Sequence, residues 1–154
     1  MINKMILLIL SAIFFPLGAH AQVPSAFVYQ GQILRSGVPL ESGTVTFFVK
    51  ILSPGAESCV LYEEQHVVNM AGTNGVFNLS IGTGVRSGTN FEDGSNLQTV
   101  FSNTTALTGL STCAAGSSYT PAGGDTRKLR IRYNDGTTTV TINQDPHLVA
   151  TPFS

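Results

Sequence analysis

With no tryptophan and only four tyrosines, the chain offers few of the flat aromatic faces on which sugar rings stack. Tyr29, Tyr62, Tyr119 and Tyr133 suit core or rim packing better. Histidine is as scarce: beyond His20 there are only His66 and His147, no Gly-x-Ser-x-Gly elbow occurs, and no Ser-His-Asp arrangement is suggested. Lysine and arginine number 8 against 9 acids, a formal net charge of −1. No basic stripe exists to neutralise phosphates, which excludes nucleic acid as an expected partner. No apolar run of spanning length follows the N-terminal segment, so no membrane span is expected once that segment is removed.

The N-terminal segment itself reads as a secretory leader. Lys4 supplies the positive charge, Met5 to Phe15 the apolar run, and Pro16 and Gly18 a breaker before Ala19-His20-Ala21. Small residues at 19 and 21 suit signal peptidase, so residues 1–21 are expected to leave and Gln22 to begin the mature chain. The run is too short to span a bilayer comfortably, and no cysteine at its end invites a lipid anchor. Residues 22–154 are long enough for one domain with a core and too short for two. Both cysteines, Cys59 and Cys113, lie in that part. Export makes a disulfide between them the default expectation; the alternatives are a reactive thiol or a metal pair, although cysteines so far apart without clustered histidine make a poor zinc site.

The mature chain alternates as strands do. AFVYQGQIL (26–34) reads as a first strand in which Gly31 marks a bulge or a close backbone approach. Arg35-Ser36-Gly37-Val38-Pro39 makes a turn. GTVTFFVKIL (43–52) follows, with Val45, Phe47, Val49 and Ile51 on a core face and Phe48 among polar neighbours, which predicts partial cover of the other face. From Cys59 to Ile81, two β-type arms flank Asn74-Gly75, a strong hairpin signal because both residues tolerate positive φ. Phe77, Leu79 and Ile81 give the second arm an apolar face. On the first arm neither face is purely apolar, so an edge-like or partly exposed strand is expected, its start held by Cys59.

From Gly82 to Asp125 glycine, serine, threonine and asparagine dominate. One short helical turn is expected within Asp93 to Ser102, with Leu97, Val100 and Phe101 inward. So long a connection is expected to be functional or tied down, with Cys113 as tether; otherwise the order reads as a meander. In RKLRIRY (127–133), Leu129, Ile131 and Tyr133 alternate with Lys128, Arg130 and Arg132, a core face against a row of cations. Asn134-Asp135-Gly136 is a second hairpin turn into TTTVTIN (137–143), and HLVATPF (147–153) is a last β-like segment. The end without a polar tail leads us to expect coding sequence beyond it.

No catalytic, cofactor-binding or metal set is expected. Glu64 and His66 share a strand face, but two ligands do not make a site, and an exposed polar strand is the simpler reading. Glu92 and Asp93 read as solvated loop acids. Gly82-Thr83-Gly84 is not followed by a helix or a Lys-Ser/Thr pair, which argues against a phosphate loop. Lys128, Arg130 and Arg132 could bind acidic glycans or lipopolysaccharide; a solvated face that discourages edge-to-edge aggregation explains them as well.

FVYQGQIL, TVTFFVKIL and LYEEQHVVNMAGTNGVFNLSIGTG, with the later RKLRIRYNDG and VATPFS, resemble the N-terminal domain of tail-fibre-like, trimeric, modular surface proteins of Gram-negative bacteria. SSYTPAGGDTRKLRI is similar to the disulfide-tethered variety. The resemblance implies an anchoring or adaptor module at the base of a surface fibre, non-enzymatic, with recognition left to distal modules.

The expected fold is therefore an all-β antiparallel β-sandwich of about seven or eight strands, immunoglobulin-like or jelly-roll-like, with one long loop tethered by a disulfide. The expected function is a secreted structural or adhesion-associated module at the outer cell surface, in the extracellular space or in the periplasm. Its expected partners are copies of itself, fibre or envelope proteins, and surface glycans, with no cofactor. The alternatives are a carbohydrate-binding module using the 82–125 loop and exposed tyrosines, Tyr119 foremost, and a small hydrolase with its site in the same loop.

Overall fold

The computed structural model describes residues 25–86, 95–142 and 146–149. Residues 1–21, where a leader is expected, the acids Glu92 and Asp93, and the closing residues 150–154 lie outside them. The described residues form an all-β domain with one short helix: β1 (Phe27–Gln32), β2 (Leu34–Arg35), β3 (Val38–Pro39), β4 (Val45–Leu52), β5 (Val60–Val68), β6 (Val76–Ile81), α1 (Leu97–Phe101), β7 (Leu107–Thr108), β8 (Ser118–Tyr119), β9 (Arg127–Asn134), β10 (Thr139–Thr141) and β11 (His147–Leu148). The strand pairings are antiparallel. Short two-residue ladders bring the number of strands above the expected seven or eight.

The main sheet runs in the order β10-β9-β4-β5, with β11 also on β9. Its inner face carries Val45, Phe47, Val49 and Ile51 from β4 and Leu129, Ile131 and Tyr133 from β9. Against it lies the two-stranded sheet of β1 and β6, which contributes Phe77, Leu79 and Ile81. Burying each of these side chains stabilises the fold by roughly 1.5–3 kcal/mol. A chain of rings crosses the two layers: Tyr29 to Phe77 at 6.1 Å, Phe77 to Phe47 at 4.8 Å, Phe47 to Tyr133 at 6.3 Å. Gly31 makes room for it, since a Cβ there would stand 2.8 Å from the Phe77 ring, the close approach that the glycine in β1 signalled.

The hairpin expected across Asn74-Gly75 does not form. Both residues have positive φ, at 53° and 74°, as such a turn requires. However, β5 pairs with β4, and β6 crosses to pair with β1 in the opposite sheet. The apolar face of β6 is buried by facing β4 across the core, which pairing beside β5 in one sheet would not achieve. The turn is tied at its tip instead: Glu41 accepts from the backbone N–H groups of Gly72 and Asn74 at 2.9 and 2.8 Å, and Ile33 donates to the Gly75 carbonyl at 2.9 Å. The meander expectation fails for the same reason, because β9 returns after the long loop to the free side of β4.

Other expectations hold. Arg35 to Pro39 makes a tight hairpin between β2 and β3, with φ of 51° at Ser36 and 81° at Gly37. The Asn134-Asp135-Gly136 turn joins β9 to β10. Helix α1 buries Leu97 and Val100, is capped by the Asn96 side chain, and sets Phe101 edge-on to Phe27 at 6.3 Å. Strand β5 lies at the sheet edge and is partly exposed, as expected: Val60 to Glu64 are buried, whereas Val67 is 68% exposed. A register shift beside Ile51 and Leu52 bulges the pair there.

Cys59 and Cys113 are joined in a disulfide. Around it, Cys59 N–H donates to Ser53 Oγ at 2.9 Å and Val60 N–H to the Thr112 carbonyl at 2.8 Å, which docks the loop against the start of β5. Replacing both cysteines by serine should lower stability by about 2–4 kcal/mol, chiefly by freeing the unfolded chain. The urea midpoint of the double variant against wild type measures it; an unchanged midpoint would show that the loop is held by its hydrogen bonds alone.

Candidate functional site

Strand β5 places Tyr62, Glu64 and His66 opposite Ile51, Val49 and Phe47, on the inner face of the main sheet. Glu64 is fully buried there, so its carboxylate must be satisfied from within. Oε1 accepts from Gly82 N–H at 2.9 Å and faces His66 Nε2 at 2.9 Å; Oε2 accepts from Tyr62 Oη at 2.8 Å and Gly84 N–H at 2.8 Å. The carboxylate only accepts, which assigns the shared proton to His66 Nε2. The glycines are required by space. A Cβ on Gly84 would stand 2.7 Å from His66 Nε2 and 2.8 Å from the Glu64 carboxyl carbon, and one on Gly82 would stand 2.3 Å from the Ser25 carbonyl oxygen.

The reading of this arm as an exposed polar strand is thus overturned. Glu64 and His66 do share a face, but it is the buried one. Gly82-Thr83-Gly84 does form an anion cradle from backbone N–H groups, and the anion is a side chain of the same protein. Above it, Arg86 sits 4.6 Å from the centre of the Tyr62 ring and donates to the carbonyls of Glu63 and Ser95 at 3.3 and 2.6 Å. Burial, then the bond to Glu64, pushes the Tyr62 hydroxyl well above the usual tyrosine range.

A second cluster secures the long loop. Arg127 is 1% exposed; its Nε donates to the Val100 carbonyl at 2.8 Å, and its terminal nitrogens donate to Tyr119 Oη at 3.0 Å, the Thr126 carbonyl at 2.8 Å and Asn103 Oδ1 at 2.6 Å. Tyr119 Oη in turn donates to Asp125 Oδ2 at 2.7 Å, which also accepts from Ala122 N–H at 2.8 Å. Tyr119 is packed inside, as the core or rim reading of the tyrosines expects, and is not the exposed ligand contact of the carbohydrate-binding alternative. It is 4% exposed and carries Arg127 5.0 Å from its ring centre, because its hydroxyl is one of the few acceptors able to satisfy a buried guanidinium. Burial, then the bond to Asp125, pushes its hydroxyl up. Arg127 went unremarked in the sequence, yet it carries a signal: it occupies the same alternate positions as Leu129, Ile131 and Tyr133, a cation in core register.

Lys128, Arg130 and Arg132 stand on the opposite, outer face, as the alternation requires. Arg132 lies 5.8 Å from the centre of the half-buried Phe48 ring, the cover expected for that residue. Lys50 Nζ is 3.0 Å from Glu63 Oε2, a pairing by charge without an aligned hydrogen bond. Lys128 Nζ donates to the Gly55 carbonyl at 3.4 Å. Elsewhere, an open groove of about 410 Å³ between the β2–β3 hairpin and the β9–β10 turn is bridged by Arg35 and Asp135 at 2.7 Å. Thr137 Oγ1 and then the N–H groups of Thr138 and Thr137 hold the Asp135 carboxyl well below the ordinary range.

The fold and these clusters define an all-β sandwich domain of about one hundred residues and more, cross-linked by a disulfide and two buried polar knots. The chain belongs to the family described as a domain of unknown function, DUF8740, whose pattern matches residues 28–147. No curated protein and no solved structure matches the chain. Among the described residues no helix is long and apolar enough to cross a membrane.

Two outcomes follow. Glu64→Gln presents an amide N–H₂ to donors that have nowhere else to turn, and should cost about 2–4 kcal/mol, read from the urea midpoint; an unchanged midpoint would show that the knot holds nothing. Asp125 is depressed by the Ala122 N–H and then by the Tyr119 hydroxyl. A lowered folded pKa contributes stability that is present above the unfolded value and lost as the pH falls through the folded one. The melting temperature of Asp125→Asn should therefore fall less steeply than that of wild type below about pH 4; parallel pH profiles would refute it.

Proposed function

We propose that the chain is an exported, non-enzymatic structural module with an adhesion-associated role, of the kind that its resemblance to the base domains of bacterial surface fibres implies. One observation carries this reading: the buried groups best suited to acid–base or ion chemistry act as internal ties. Both oxygens of Glu64 are filled by donors of the same chain, and Arg127 ties α1, β8 and the Asn103 turn to β9. Glu64 ties β5 to the segment after β6, Arg127 ties β9 to α1 and the Asn103 turn, and the Cys59–Cys113 bridge adds a covalent tie. A small domain cross-linked in this way resists opening, which suits a part that anchors or transmits load in an oxidising compartment, where its disulfide persists. The leader at 1–21 would deliver it, and its partners would be copies of itself or fibre and envelope proteins. The carbohydrate reading built on the 82–125 loop finds no support at Tyr119, whose ring and hydroxyl are committed inside.

Expression of the full chain in a Gram-negative host, followed by fractionation and intact-mass measurement, tests the proposal. The expected product lies outside the cytoplasm, begins at Gln22, gains two hydrogens on reduction, and turns over no generic ester, glycoside or peptide substrate. Cytoplasmic retention with free thiols, or turnover that disappears in His66→Ala, would overturn it.

A further inference from the structure

We infer that the chain pairs with a second copy of itself through the free edge of β1, antiparallel and about a two-fold axis at Gln30. Ile33 continues the register of β1 on β6 and donates to the Gly75 carbonyl at 2.9 Å, so the odd-numbered residues of β1 turn their backbone groups to β6. Those of Val28, Gln30 and Gln32 point the other way and meet no backbone partner among the described residues. Such a row is a template for another strand, and folded domains blunt it with charge, proline, a bulge or a covering segment. The other edges carry devices of this kind. Along β5, Gln65 and Val85 exchange backbone hydrogen bonds at 2.9 Å. On β6, Val76 N–H donates to the Thr73 carbonyl and Thr83 N–H to the Ser80 carbonyl, both at 3.1 Å, and Pro146 stands between β10 and β11. Residues 25–34, SAFVYQGQIL, hold neither charge nor proline, and β1 pairs without a register shift.

A second copy fits this edge because β1 is complementary to itself. With Gln30 opposite Gln30, the pair exchanges both backbone N–H···O bonds, and Val28 opposite Gln32 does the same on either side. The exposed Gln30 amide carries a donor and an acceptor, so it can bond its own counterpart across the axis. Val28, 64% exposed, comes diagonally beside Leu34 of the second copy, 55% exposed, which withdraws from water apolar side chains that the single chain leaves in it. Without a charge on residues 25–34, two copies approach without repulsion, and a charged partner finds nothing there to pair with. Pairing also widens the smaller layer, since a sheet of only β1 and β6 faces a main sheet of five strands. The contact is isologous and closes on itself, leaving no β1 edge for further growth. The inference rests on the scaffold reading, in which copies of the chain are partners, and names the strand by which they meet.

Sedimentation equilibrium of the full exported chain across a wide concentration range tests it, and a monomer–dimer equilibrium is expected. Gln30→Pro removes a donor that the fold itself does not use, and should weaken dimerisation by about 30-fold, roughly the loss of both backbone bonds at the axis. Across the axis the Gln30 Cα atoms stand about 5.5 Å apart, within reach of a disulfide. Mild oxidation of purified Gln30→Cys should therefore give cross-linked dimers. Asn78→Cys, opposite Gln30 on β6 and so about 14 Å from its counterpart, should not. Thermal transitions check folding, and Gln30→Cys decides the matter if Gln30→Pro is unstable. A monomer at every concentration, a trimer, a dimer indifferent to Gln30→Pro, or equal cross-linking of both cysteine variants would overturn the inference. So would a chain that stays monomeric and is retained on an immobilised Thr-Val repeat peptide, which would give the edge to an unrelated strand. Such a failure in a correctly exported, bridged chain leaves the scaffold reading standing, whereas free thiols and cytoplasmic retention would remove that reading as well.

Discussion

A carboxylate inside an apolar sandwich is tolerated only when every lone pair that matters has a donor, and Glu64 imposes that condition on much of this domain. Its donors come from the same strand, through Tyr62 and His66, and from the segment after β6, through the N–H groups of Gly82 and Gly84. Meeting the condition brings the end of the smaller sheet onto the edge strand of the larger one. It also explains the glycines, since side chains at 82 or 84 would occupy the space of the carbonyl and carboxylate groups they approach. Apolar packing between β4 and β6 supplies the larger stabilisation, but it is non-directional; the carboxylate sets how the layers meet.

Arg127 plays the complementary part at the other end of the core. A guanidinium placed in core register gathers acceptors from α1, the Asn103 turn and Tyr119, so the long glycine- and serine-rich connection is ordered by one buried cation as well as by the Cys59–Cys113 bridge. The remaining strand cations fall on the outer face by the two-residue period of β9. One alternation thus separates the tie from the surface that meets the surroundings.

Much of this was legible beforehand. The apolar alternation in β4, β6 and β9, the turn chemistry of Ser36-Gly37 and Asn134-Asp135-Gly136, and the short helix holding Leu97 and Val100 depend on local periodicity and on φ preferences, which neighbouring residues express by themselves. The bridge was the default expectation for two cysteines behind a segment that reads as a leader. Less legible were the polar knots. In β5 both faces mix polar and apolar residues, so nothing local says that Glu64 points inward, and Tyr119 looks the same in sequence whether its hydroxyl meets water or Arg127.

By itself, then, the sequence determined the strand class, the turn positions and the cysteine pairing, because each arises from short-range sterics or from simple counting. Only the tertiary structure decided that β6 leaves β5 to pair with β1, and which of the polar side chains are buried. Those outcomes depend on what stands across the core: a face such as Phe77, Leu79 and Ile81 is buried only by an opposing layer, and a carboxylate or guanidinium is accommodated only where distant segments bring it donors or acceptors.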